Sequence, residues 1–101
     1  MIVAAPPPAR VQVVAQEFSF SLSRRTIRAG DAIVELDNQG EDAHDLRMKR
    51  QGGTRVYVWP VVQAGAHADR EYRLAPGTYV LWCSVADHRA RGMSALLVVR
   101  R

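Results

Sequence analysis

The chain has 101 residues, 48% hydrophobic and 24% charged, a composition that allows one globular domain with its own core and excludes disorder or a second domain. Its formal charge is +4, yet all but one of its 14 basic residues are scattered arginines, so no clustered nucleic-acid face is expected. No apolar run approaches the 18 residues of a membrane span, and a single cysteine excludes an internal disulfide.

Residues 1–10 read as a lead segment. Met1-Ile2-Val3-Ala4-Ala5 is too short for a signal peptide and lacks basic flanks, and Pro6-Pro7-Pro8 reads as an extended tether or strand entry before a domain over residues 11–101. Short β-branched and aromatic runs then follow one another at residues 11–15, 18–22, 26–28, 32–37, 46–49, 56–59, 70–74, 78–83 and 94–100. Turn signals separate them, the strongest being Ala29-Gly30-Asp31, Asn38-Gln39-Gly40, Gln51-Gly52-Gly53 and Ala75-Pro76-Gly77. In Phe18-Ser19-Phe20-Ser21-Leu22 apolar and polar residues alternate, as on a strand with one face in a core. The pattern is all-β, a sandwich of about seven to eight mostly antiparallel strands. The last strand, apolar on both faces, is expected to be central. Residues 61–68 are expected to form a loop or a single turn, because Pro60 and Gly65 disfavour a helix.

Residues 82–93 carry the chemistry. Cys83, His88 and Met93 fall within eleven residues between two strand-like runs. Thiolate, imidazole and thioether together suit copper, and a trigonal His₂Cys set with a distant thioether is the ligand set of an electron-transfer copper site. The missing imidazole must come from another strand. His44 follows the turn that begins at Asn38 and stands at the head of the next strand, so a sandwich can bring it to the same pole. His67 has no ligand partner near it in sequence and is expected to be an exposed loop histidine. Trp59, Tyr79 and Trp82 are expected in the core.

With His44 in place, the chain resembles the cupredoxins, the plastocyanin-like small blue copper proteins. The matching residues are Asn38-x-Gly40-x-x-x-His44, Ala75-Pro76-Gly77-Thr78-Tyr79, and Cys83-Ser84-Val85-x-x-His88-x-x-x-Gly92-Met93. They lie within a resemblance that runs from about Val11 to Val99. It implies a Greek-key sandwich holding one type 1 copper ion, with His44 and His88 as imidazole ligands, Cys83 as the thiolate and Met93 as the weak axial thioether. Two positions depart from the family pattern. Ala86-Asp87 stand where Pro-Gly is frequent before the loop histidine, and Asp45 stands where asparagine braces the serine after the cysteine; an Asp45 to Ser84 hydrogen bond can replace that brace.

Related copper classes are excluded by the residues present. A binuclear centre needs a second cysteine in the loop, and a multicopper oxidase needs histidines flanking the cysteine, whereas Trp82 and Ser84 flank Cys83. A fully ligated copper also leaves no open position for substrate, so an enzyme is not expected. The expectation is single-electron transfer between redox protein partners, by a monomer without nucleic-acid binding or direct membrane insertion. Its expected place is extracytoplasmic, the periplasm or outer face of a membrane, with the targeting segment absent from this chain. The alternative is a cupredoxin-like binding or assembly module of a larger protein in which copper is structural, stored or absent. Electrons are expected to pass at His88, ringed by Arg89 and Arg91, rather than at His44.

Overall fold

The computed structural model describes residues 6–101 and contains nine strands among them. One sheet places β2 (Ser19–Leu22), β1 (Ala9–Gln16), β4 (Gly30–Asn38) and β7 (His67–Leu74) side by side in that order. The other has the order β3 (Thr26–Arg28), β9 (Ser94–Arg100), β8 (Gly77–Trp82), β5 (His44–Arg50) and β6 (Val56–Val62). The chain passes repeatedly between the sheets, and the all-β sandwich expected from the turn spacing is present. Nine strands rather than seven or eight arise because β2 and β3 are separate short elements. Pairing is mostly antiparallel, with β1 against β4 and β3 against β9 parallel. Of the expected lead segment, residues 1–5 lie outside the described residues and residues 6–8 form no strand. Ala9 and Arg10 already pair with Ala32 and Ile33.

Strand parity places the core. Successive side chains point to opposite faces of a sheet, so Val11, Val13 and Ala15 of β1 face inward together with Ala32, Val34 and Leu36 of β4. From the other sheet come Leu46 and Met48 of β5, Tyr79 and Leu81 of β8, and Leu97 and Val99 of β9. Trp59 of β6 crosses the layer, and its indole N–H donates to the Val34 carbonyl at 3.0 Å, meeting the demand of a buried polar group for a partner.

The same parity aims three of the four expected ligands. His44 continues the inward column of Leu46 and Met48, Cys83 that of Tyr79 and Leu81, and Met93 that of Leu97 and Val99. The strands beneath these columns, β5, β8 and β9, are adjacent in one sheet. His44, Cys83 and Met93 therefore cap neighbouring columns at one end of the sandwich, and all three are fully buried.

Three local expectations are corrected. Residues 63–66 form the single turn expected within 61–68, but β6 continues through Pro60 to Val62 and β7 already begins at His67. Pro60 fits because β6 is a sheet edge, where a missing N–H breaks no ladder, and the β5–β6 register shifts beside it. The strand β9 does lie between two others, yet only one face is covered, and Leu96 on the other is 54% exposed. Trp59 and Tyr79 are buried, but Trp82 is half-buried beneath the guanidinium of Arg89, 4.6 Å from its ring.

Candidate metal centre

Two loops meet over the buried ends of these columns. The first runs from Asn38 to His44 and is laced by Asn38, itself fully buried. The Asn38 amide donates to the carbonyls of Asp42, at 2.8 Å, and Val62, at 3.0 Å, while its oxygen accepts from the Gly40 N–H at 2.9 Å. This gives the asparagine of the sequence motif its role: it folds the loop that precedes His44. The second loop, residues 83–93, is a compact series of turns. The His88 and Gly92 N–H groups donate to the Val85 and Arg89 carbonyls, and the Met93 N–H returns to the His88 carbonyl at 3.1 Å. Gly92 has φ 114, a conformation open to glycine and strained for other residues, and it ends the loop so that Met93 turns back to Cys83. The Cys83 N–H then donates to the Met93 carbonyl at 3.2 Å.

The brace expected between the loops is present. Asp45 is 3% exposed; its carboxylate accepts the Ser84 N–H at 2.6 Å and the Ser84 hydroxyl as well. Aspartate thus serves where the family pattern has asparagine, anchoring the residue after the cysteine to the strand that carries His44.

Three donor atoms converge inside. The Nδ1 atoms of His44 and His88 are 3.2 Å apart, and Cys83 Sγ lies 3.9 Å from the first and 3.7 Å from the second. A point equidistant from these three atoms is about 2.1 Å from each, which matches metal–imidazole bonds of about 2.0–2.1 Å and is slightly short of a metal–thiolate bond of about 2.3 Å. The residues therefore fit a trigonal N₂S ion. Burial pushes the Cys83 thiol above its ordinary pKa, so a cation is needed to hold it as thiolate. Met93 is fully buried at the end of the same loop, and its carbonyl accepts the Cys83 N–H. His67 is exposed as expected, but it heads β7 and groups with Glu35 and Asp69, on a sheet face away from the buried donors.

Sequence reasoning missed the groups behind the histidines. Glu17, in the turn joining β1 to β2, accepts the His44 Nε2 hydrogen at 3.0 Å and the N–H groups of Asp42, at 2.6 Å, and Glu41, at 2.8 Å. The Asp42 amide foremost, with the Glu41 amide and the His44 ring, holds the Glu17 carboxyl down at about 2. The Asp42 carboxylate stands 3.6 Å from His88 Nε2. Phe18 packs on the His88 ring with centroids 5.0 Å apart. No sequence signal marks Glu17, because its partners lie more than 20 residues away and only the fold brings them to it.

The expected electron port is modified too. Asp87, Arg89, Ala90 and Arg91 are exposed, while His88 turns inward and is 6% exposed against 0% for His44. His88 is still the ring nearer solvent. Arg91 is held by Asp87 at 2.8 Å and lies over Phe18, so the arginine rim is partly neutralised.

Solved structures with this architecture are many. Dithionite-reduced auracyanin from the photosynthetic bacterium Roseiflexus castenholzii aligns with a TM-score of 0.75 at 15% identity, over 95% of this chain and 100% of that one. Auracyanin A, a "blue" copper protein from the green thermophilic photosynthetic bacterium Chloroflexus aurantiacus, also gives 0.75, at 16% identity over 93% and 100%. A purple cupredoxin from Nitrosopumilus maritimus gives 0.63, at 17% identity over 87% and 97%. The chain has the cupredoxin fold. No family model and no curated protein sequence matches it.

Proposed function

We propose that this cupredoxin-fold chain binds one copper ion in a type 1 site and carries single electrons between redox proteins. The observation that carries the reading is the buried triangle of His44 Nδ1, His88 Nδ1 and Cys83 Sγ, with edges of 3.2, 3.7 and 3.9 Å. Met93 is the axial thioether in this reading. Bound copper supplies a one-electron couple whose two states accept nearly the same ligand geometry. The protein's part is to keep that geometry fixed. The Asp45–Ser84 hydrogen bonds and the Asn38 lacing hold both ligand-bearing segments, so little rearrangement opposes electron transfer. Burial keeps water from the donors. Four protein donors leave no coordination position for substrate, which favours a carrier over an enzyme.

Support also comes from the fold shared with a blue copper protein. An extracytoplasmic location suits an exchange of electrons between redox proteins and belongs to the same proposal. Among the described residues, no helix is long and apolar enough to cross a membrane.

Titration with Cu(II) tests the function. The expected result is one equivalent bound with an intense visible thiolate-to-copper band, abolished in Cys83→Ser. Tight binding without that band favours a structural or storage site, and a band that survives in Cys83→Ser removes the assignment.

A further inference from the structure

Behind the donor triangle, the two histidines differ. Asp42 stands 3.6 Å from His88 Nε2, outside hydrogen-bond distance, whereas Glu17 accepts from His44 Nε2 at 3.0 Å. The contact is a built one. Glu17 Oε1 receives three N–H groups, from His44, Glu41 and Asp42, and so cannot swing away without orphaning the loop amides. Gly40 makes the room: a Cβ there would lie 2.5 Å from Glu17 Oε1 and 2.6 Å from Oε2. Glu17 stands on a turn of the sheet containing β1, and His44 heads a strand of the opposite sheet, so the carboxylate ties the two layers directly at a ligand.

We propose that Glu17 is a positioning residue for the metal centre: its carboxylate holds His44 as the Nε2–H tautomer, leaving the Nδ1 lone pair facing Cys83 and His88, and its charge lowers the reduction potential of bound copper. Hydrogen bonds from a ligating imidazole to a carboxylate fix the ring and raise its basicity. The tautomer follows from donor and acceptor roles. A carboxylate only accepts, so the hydrogen of a neutral His44 ring is on Nε2. The effect on potential follows from charge, since a fixed anion on the far side of the ring favours Cu(II) over Cu(I). The second half rests on the copper reading above; the first half does not.

The test uses Glu17→Gln, which keeps an acceptor oxygen and removes the charge, beside Glu17→Ala, which removes both. In the copper-free protein, ¹⁵N spectra of the His44 ring are expected to show Nε2–H in the parent and in Glu17→Gln. In Glu17→Ala they are expected to show a mixed tautomer and faster exchange of the Glu41 and Asp42 amides. A parent ring protonated at Nδ1, or a Glu17→Ala ring unchanged from the parent, overturns the positioning role. In the copper-loaded protein, Glu17→Gln is expected to keep the visible band and raise the potential. The expected size is on the order of a tenfold fall in Cu(II) affinity relative to Cu(I), which is about 59 mV for one electron. A potential unchanged in Glu17→Gln overturns the tuning role. A parent without the visible band defeats the copper reading instead, and the tautomer measurement still decides whether Glu17 positions His44.

Discussion

His44 and His88 face each other across 3.2 Å, but they reach that contact by opposite means. His44 ends a column of core side chains on β5, is fully buried, and is held by a carboxylate from the other sheet. His88 hangs from an eleven-residue loop between β8 and β9, among turns whose Asp87, Arg89, Ala90 and Arg91 side chains are exposed. One histidine is placed by sheet register and the other by turn hydrogen bonds. The difference teaches that the His44 side is a preformed wall, against which the loop must be pinned for the donor triangle to exist.

The largest effect expected is that of metal on stability. In the proposed reading copper joins the wall to the loop, and the unfolded chain brings no such donors together, so binding to the native state alone stabilises it by about 4 kcal/mol when free metal is a thousandfold above Kd. Thermal unfolding with and without Cu(II), for the parent and for Cys83→Ser, measures this. Coincident parent curves would show that no metal bridges the two regions.

Next comes the pin itself. Asp45, on the wall, receives two hydrogen bonds from Ser84, on the loop, and is almost completely buried. Asp45→Ala leaves the Ser84 N–H without its charged acceptor and is expected to cost about 2–3 kcal/mol in urea unfolding of the copper-free protein. Asp45→Asn keeps an acceptor for that N–H and is expected to cost about 1 kcal/mol. Equal losses in the two variants would mean that the charge rather than the hydrogen bonds holds the loop.

These two regions were legible in the sequence to different degrees, for physical reasons. The strand-like run at residues 46–49 and the Asn38 to His44 spacing identify the wall, because strand pattern and turn spacing are local properties. The spacing of Cys83, His88 and Met93 identifies the loop's donors for the same reason. What these local patterns cannot convey is which distant groups meet. Glu17 is an ordinary acidic turn residue until the sandwich closes on His44, and Asp42 gives no hint of standing behind His88. Pro60 misleads in the opposite direction, since a residue that ends most regular structure is tolerated on an edge strand. His88 shows the limit of reading exposure from a loop: its neighbours are solvated while its own ring is turned inward.

The smallest effect expected lies on the outer surface of the loop and concerns steering. Arg89 and Arg91 suggest a basic rim that would attract anionic partners. Arg91, however, donates to Asp87 at 2.8 Å, and this hydrogen bond holds the Asp87 carboxyl below the usual carboxylate range and raises the arginine in turn. The pair contributes almost no net charge at a distance. Arg89 lies over Trp82, and the Asp42 carboxylate beside His88 is a further negative charge at this pole. Across a Debye length of about 8 Å at physiological ionic strength, these charges nearly cancel. Electron-transfer rates with one anionic and one cationic small reagent, measured across a salt series, should therefore differ little in the parent. Arg91→Ala exposes Asp87 and is expected to slow the anionic reagent by a factor of about two, and Arg89→Ala by a similar factor through the loss of its own charge. A parent rate with the anionic reagent that falls steeply with salt would show that the rim acts as a positive patch despite its internal pairing, and that the loop recruits its partner by charge.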